Sequence, residues 1–330
     1  MTPFSLARFA ISRHPVARAE WLHQQRSGRP QRWRLFNVLL ALAIGALILS
    51  TVGLANANWL IHLTIARPHD IELGLQMING SAGAALISLL AIQPIMISAQ
   101  AALRASSTIA REKQGRTWDS LILTGIDARA IITAKWWAVL HFLGERLELM
   151  FALRALAVLA IGVMMVYESS TLGLSMPGVV LAVIAAIVLP VIAVMQAAAA
   201  GIFASLLAGQ EATAGRIAIA FQGVLVLTLL FAGFALTVFL TLADTGGSWP
   251  YVLPMTFAVP LDGGLVFIFS ALSATSGVYF GVYIGSLLLS VIVFGGMTWL
   301  LLRASQALAI RQMALPPADP ASRRARHRLP

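Results

Sequence analysis

SSTIAREKQGRTWDSLILTGIDARAIITAKWWAVL, residues 106–140, lies between two long apolar runs. Six ionisable residues crowd into its middle: Arg111, Glu112, Lys113, Arg116, Asp119 and Asp127. A membrane span cannot hold that density of charge, so the stretch belongs in water or at an interface. It is too apolar for a plain tether. Trp118, Leu121, Ile122 and Ile126 recur at helical spacing and make one adhesive face. The spacing predicts a short amphipathic helix, outside the membrane, that docks a partner.

The rest of the chain gives this insert its setting. Of 330 residues, 59% are hydrophobic and 11% charged, against about 25% charged in ordinary soluble domains. Charge-free runs of span length recur along the sequence. The chain therefore reads as an all-α polytopic membrane protein. Its net charge of +10 could suit nucleic acid, but the basic residues flank apolar runs and form no soluble patch, so no nucleic-acid partner is expected. Cysteine is absent, which removes disulfides, thiol nucleophiles and thiolate metal sites.

Six transmembrane helices are expected over residues 36–55, 82–103, 149–166, 179–207, 217–242 and 279–302, the fourth kinked at Pro190. The third has the least defined start, because helix can run unbroken from about Ala130. Residues 1–35 mix Phe4, Leu6, Phe9, Ile11, Trp21 and Trp33 with arginines and read as an interfacial amphipathic segment. Residues 36–303 make the transmembrane domain, with the charged insert at 104–148. Residues 304–330 form a basic tail, expected to be disordered. The external segment 243–278 holds Pro250, Pro254, Pro260 and an apolar piece too short to span, so a small cap or re-entrant segment is expected.

Basic residues set the orientation. With both termini on one side, 21 of the 23 fall in the connections on that side; Arg67 lies opposite and Arg154 within the third span. Both termini and the insert are thus expected in the cytoplasm, with the chain multi-pass in a cell's inner membrane.

Chemistry-bearing motifs are sparse. No phosphate-binding glycine loop, catalytic triad or carboxylate pair stands out. His62, His69, Asp70 and Glu72 read as a solvated outer loop, and His141, Glu145 and Glu148 as a salt-bridged or interfacial helix face; neither set is assigned a metal. Arg154 is the one charge in any expected span. Its stem either snorkels to the interface or pairs internally, or its head lines a polar substrate path. Gln93, Gln196 and Gln222, and the carbonyls freed below Pro94 and Pro190, are candidate partners. The small residues Ala197–Gly201, and Gly281 with Gly285, suit close helix packing.

Residues 106–140 resemble the membrane subunits of type-2 ABC exporters. That family carries, after its second span, an acidic residue with basic neighbours, Gly-Thr, a leucine-rich turn, Thr-Pro, and a lysine opening the next helix. The matching residues are Ala110-Arg111-Glu112-Lys113, Thr117 through Thr124, and Lys135. His14-Pro15-Val16 followed by Glu20 is similar to the family's cytoplasmic elbow helix. Two positions depart: Arg116 stands at the family's glycine, with Gly115 one place earlier, and Gly125 replaces the proline. The resemblance implies a permease without its own nucleotide site or cofactor. ATP and Mg would be bound by a separate ATP-binding subunit, and a second permease subunit, identical or homologous, would complete the path. The insert would hold the first coupling helix, with Glu112, Arg116, Thr117, Trp118, Leu121, Thr124 and Gly125 at the contact. Gln210 and Glu211 would form a second coupling loop.

The leading expectation is therefore the permease subunit of an ATP-driven exporter. Its spans contain no aspartate or glutamate, which favours an amphipathic or lipid-like cargo moving among membrane lipids. A membrane-embedded lipid-modifying transferase and a non-transporting membrane scaffold are the alternatives.

Overall fold

The computed structural model describes residues 15–26, 43–46, 69–123, 126–168, 176–242 and 277–314. Every element among them is helical: α1 (Pro15–Arg26), α2 (His69–Gln114), α3 (Thr117–Leu123), α4 (Ala128–Glu168), α5 (Met176–Leu207), α6 (Glu211–Leu242) and α7 (Gly277–Ala314). Among the described residues, three stretches are long and apolar enough to cross a membrane: Val179–Leu207, Glu211–Leu236 and Tyr283–Gln312. Of the first expected span, residues 43–46 are described; they are helical, and Ile44 is fully buried.

α5 is the centre of the bundle and packs on α2, α4, α6 and α7. Its sequence explains the position. Ala197–Ala200 have no exposed surface, and Gly201 lets α2 approach so closely that an added Cβ would lie 2.3 Å from the Ala102 carbonyl oxygen and 2.7 Å from the Ala105 Cβ. Small side chains let helix backbones meet at short range, where dispersion contacts are dense. Polar side chains reinforce the same seam. The Ser205 hydroxyl of α5 accepts the amides of Ile109 and Ala110 of α2, at 2.9 and 2.8 Å.

Several expected boundaries move. Helix α2 begins at His69, so residues 69–81 are helical where an outer connection is predicted. α4 runs unbroken from Ala128 to Glu168, merging the end of the insert with the third span. α7 continues past residue 302 to Ala314, and its last turns pack: Ser305 and Ala309 are fully buried. The tail expected to be disordered from 304 is therefore ordered helix as far as 314, because these turns have neighbours to bury against. The external segment 243–276 lies outside the described residues.

Candidate functional site

The insert is three pieces rather than one docking helix. Residues 106–114 finish α2, residues 117–123 form α3, and α4 starts at Ala128. The two breaks have local causes. At the first, Arg116 takes φ 57°, the left-handed conformation that ends helices. Its amide donates to the Lys113 carbonyl at 3.3 Å, and the Thr117 hydroxyl donates to the Glu112 carbonyl, also at 3.3 Å. At the second, the Asp127 carboxylate accepts the Arg129 amide at 3.1 Å and caps α4.

These turns bring four charged side chains from three helices into one buried chain of ion pairs. Glu20 of α1 accepts from Arg111 of α2 at 3.1 Å and from Lys135 of α4 at 3.1 Å. The Lys135 ammonium also donates to Glu112 of α2 at 2.7 Å. Lys135 is fully buried and Glu20 nearly so, while Gln24 donates to Glu20 from one turn along α1. Burial alone would raise the Glu20 carboxyl pKa; Lys135 and Arg111, with the Gln24 bond, outweigh it and hold the group below its ordinary 4.5. The two carboxylates and two cations balance. Lys135 is the shared member: its removal leaves Glu112 without its lysine and Glu20 with Arg111 alone, and breaking a buried pair in this way typically costs about 3–5 kcal/mol. Trp21 of α1 stacks at 5.7 Å from His141 of α4, extending the same α1–α4 contact.

Glu112 thus meets a lysine of its own chain. Its second carboxylate oxygen, Oε2, is buried and without a hydrogen bond. Trp118, expected as an outward anchor, is turned inward at 5% exposure and joins the core with Ala128 and Ile131. Leu121 and Ile126 pack against the same core. The physical reason is proximity: α3 lies between the ends of α2 and α4, whose apolar surfaces cover its aromatic face. What α3 leaves outward is Arg116, Thr117, Ser120 and Leu123, the last 86% exposed. Thr124 and Gly125 lie outside the described residues.

Lys113 seats on the end of α5, a role that its place in the insert does not suggest. Its ammonium donates to the Leu206 carbonyl at 2.5 Å, and Gln312 of α7 donates to the same oxygen at 3.0 Å. Burial lowers the Lys113 pKa to about 8. One signal was available: the chain has two lysines among its 23 basic residues, Lys113 and Lys135, and both sit at this end. Gln210 and Glu211 open α6 beside them and line a cleft of about 1280 Å³ between α2 and α6.

The expected path residues sit deeper. Arg154 is fully buried and donates to the Leu90 carbonyl at 2.6 Å. That carbonyl is the one Pro94 leaves without its helical partner, four residues on. Arg154 therefore does not snorkel; it pairs inside the bundle at a break made by proline. Gln93 is also buried. Gln196 is fully buried and Gln222 nearly so, and neither side-chain amide makes a hydrogen bond, so these two do not pair with Arg154. His141 and Glu148 do not converge, since one is buried and the other exposed.

The described chain is thus a helical bundle with helices fit to cross a membrane, and one ion-pair network joins α1, α2 and α4. No family model and no curated protein matches it.

Proposed function

We propose that the chain is the permease subunit of an ATP-driven exporter, one of a pair of membrane subunits standing on two ATP-binding subunits. The observation that supports it is the Glu20–Lys135–Glu112 chain. Three positions singled out by resemblance to type-2 ABC exporters, distant in sequence, meet on three different helices. In this reading α1 is the elbow helix, lying along the inner face of the membrane. The chain makes six spans, with both termini and α3 in the cytoplasm, and the masses of α2 and α4 carry motion from α3 to the spans. The ion pairs lock α1, α2 and α4 together, so that a push on α3 moves them as one body. Contact with the ATPase falls to the outward residues Arg116, Thr117, Ser120 and Leu123, with Trp118 as the internal anchor that stiffens α3. The cargo is amphipathic or lipid-like, and Arg154 meets its head from the bundle interior.

The test is affinity purification of the tagged chain from its native membranes. An ATP-binding subunit should accompany it, and the complex should hydrolyse ATP. Leu123→Asp places a charge on the exposed tip without disturbing the core; it should release the ATPase while membrane insertion and solution behaviour stay intact. Absence of any ATPase, or its full retention by Leu123→Asp, refutes the proposal.

A further inference from the structure

Two helices carry more apolar length than a bilayer takes up. The stretch Tyr283–Gln312 of α7 has 30 residues and Val179–Leu207 of α5 has 29. At about 1.5 Å per residue each measures about 44 Å, against a hydrocarbon core of about 30 Å. At the ordinary tilt of about 20° the core takes up about 32 Å of helix, which leaves about 12 Å of each outside.

Polar contacts say which end is left over. Gln306 of α7 donates to the Thr133 hydroxyl of α4 at 3.3 Å, and Gln312 donates to the Leu206 carbonyl of α5 at 3.0 Å. Lys113 of α2 reaches the same carbonyl. The Glu20–Lys135–Glu112 chain adjoins them, since Glu112 precedes Lys113 and Lys135 follows Thr133 by two residues. Hydrocarbon is a poor solvent for such groups.

The outward faces change character at a matching height. α7 presents Leu288, Ile292, Trp299 and Leu300, all more than half exposed, and then Arg303, whose guanidinium stands 5.3 Å from the Trp299 ring centre. Past Arg303 the exposed positions are Ala304, Ala307, Ile310 and Arg311. From Arg303 to Gln312 the helix rises about 14 Å, close to the length left over. Arg104 lies as far from Lys113 along α2; its guanidinium is 4.5 Å from the Phe142 ring centre, so it marks the height rather than a lipid contact. On α6, Arg216 is exposed, no charge follows as far as Leu242, and Val224, Leu227 and Phe231 point outward. A tryptophan with an arginine one turn beyond suits a lipid interface, the ring among the upper acyl chains and the guanidinium at the phosphates.

We propose that a phospholipid headgroup layer crosses the bundle at Arg303 and Arg216, and that beyond it the joined ends of α2, α4, α5 and α7 stand about 12–14 Å into water, carrying the ion pairs with them. α4 then enters the core near Phe142 and α5 leaves it near Ala197, rather than at 149 and 207. This contact surface is independent of the exporter reading.

The test places single cysteines carrying an NBD fluorophore in the full-length chain, reconstituted in phosphatidylcholine vesicles. Quenching by a lipid spin-labelled in mid-chain is compared with quenching by aqueous iodide. Ile292→Cys and Leu227→Cys should be quenched severalfold more by the lipid, and Ala307→Cys and Ile310→Cys severalfold more by iodide. If the probes at 307 and 310 respond to the lipid as the one at 292 does, all of α7 lies in the core and the proposal is overturned. It is overturned too if the lipid quenches neither 292 nor 227. A second arm removes both headgroup cations. Arg216→Leu combined with Arg303→Leu should draw the probe at 307 toward the core, raising its quenching by the lipid severalfold. Arg311→Leu, on the water side, should leave that probe unchanged. A probe unmoved by the double variant, or moved equally by Arg311→Leu, overturns the placing of Arg216 and Arg303 at the headgroups.

Discussion

Arg116 occupies a backbone position that glycine fills at no steric cost. A non-glycine residue in the left-handed region costs roughly 1–2 kcal/mol. The φ of 57° at Arg116 is imposed by its neighbours: the amide bond to Lys113 ends α2, and the core seats Trp118 immediately after. Arg116→Gly should therefore keep the fold and raise the thermal unfolding midpoint by a few degrees. Arg116→Pro, fixed near φ −65°, cannot make the turn and should lower it. A midpoint for Arg116→Gly below that of the parent chain would show that the guanidinium outweighs the backbone strain. Lys113 makes a second residue-scale case. Burial brings its pKa to about 8, below the ordinary 10.5. The unfolded chain then holds more protons than the folded one between those values, so this residue makes stability rise with pH across that window and adds nothing further above it. Its neutral form is also the nucleophile. With two lysines in the chain, the rate of acylation by an amine-reactive reagent, read by mass spectrometry, should reach half its maximum for Lys113 near pH 8, while buried Lys135 stays unmodified in the folded protein. Modification of Lys113 that rises only near pH 10 would contradict its desolvation.

At the scale of elements, the α2–α5 seam decides whether the bundle closes. Gly201 faces the Ala102 carbonyl, a backbone atom that no rotamer change can move aside. Gly201→Val should push the helices apart and lower stability by about 1–3 kcal/mol or more, the usual range for overpacking. Gly223→Val on α6, where an added Cβ meets nothing within 4 Å, should be nearly silent. Thermal unfolding of the two variants in one detergent compares them directly; equal shifts would remove the close approach as their cause. The seam was partly legible beforehand, since the run Ala197–Gly201 predicts tight packing. Its partner was not. Ala101, Ala102 and Ala105 read as ordinary small residues until α5 is seen to lie against them.

At the scale of the whole molecule, the asymmetry of basic residues is the strongest statement the sequence makes about orientation. The cysteine-free chain lets single cysteines report it. An impermeant thiol reagent should label Ser169→Cys and Thr245→Cys in intact cells. It should reach Ser120→Cys, on the exposed side of α3, only after the membrane is opened. External labelling of Ser120→Cys would reverse the orientation. Ser106, though inside the same insert, is 1% exposed and would be silent from either side, so burial governs the choice of reporter as much as topology does.

Composition by itself determined the helical, membrane-suited character of the chain, because a helix satisfies its own backbone and long apolar runs need only length to show themselves. The break after Gln114 and the Asp127 cap on α4, by contrast, emerge only in the structure, because the periodicity from Trp118 to Ile126 reads as one short helix. The sequence also offered Arg154 the carbonyl below Pro94, since proline removes a donor at a fixed spacing. What only the tertiary structure decided is the use of each amphipathic face. Trp118 and Glu112 carry the same residue types whether they face a partner or their own chain. α4 brings Lys135 to Glu112, and the ends of α2 and α4 take Trp118 into the core. Helical periodicity says that a face is adhesive; which surface covers it depends on helices far away in sequence, whose approach leaves no mark in the local pattern.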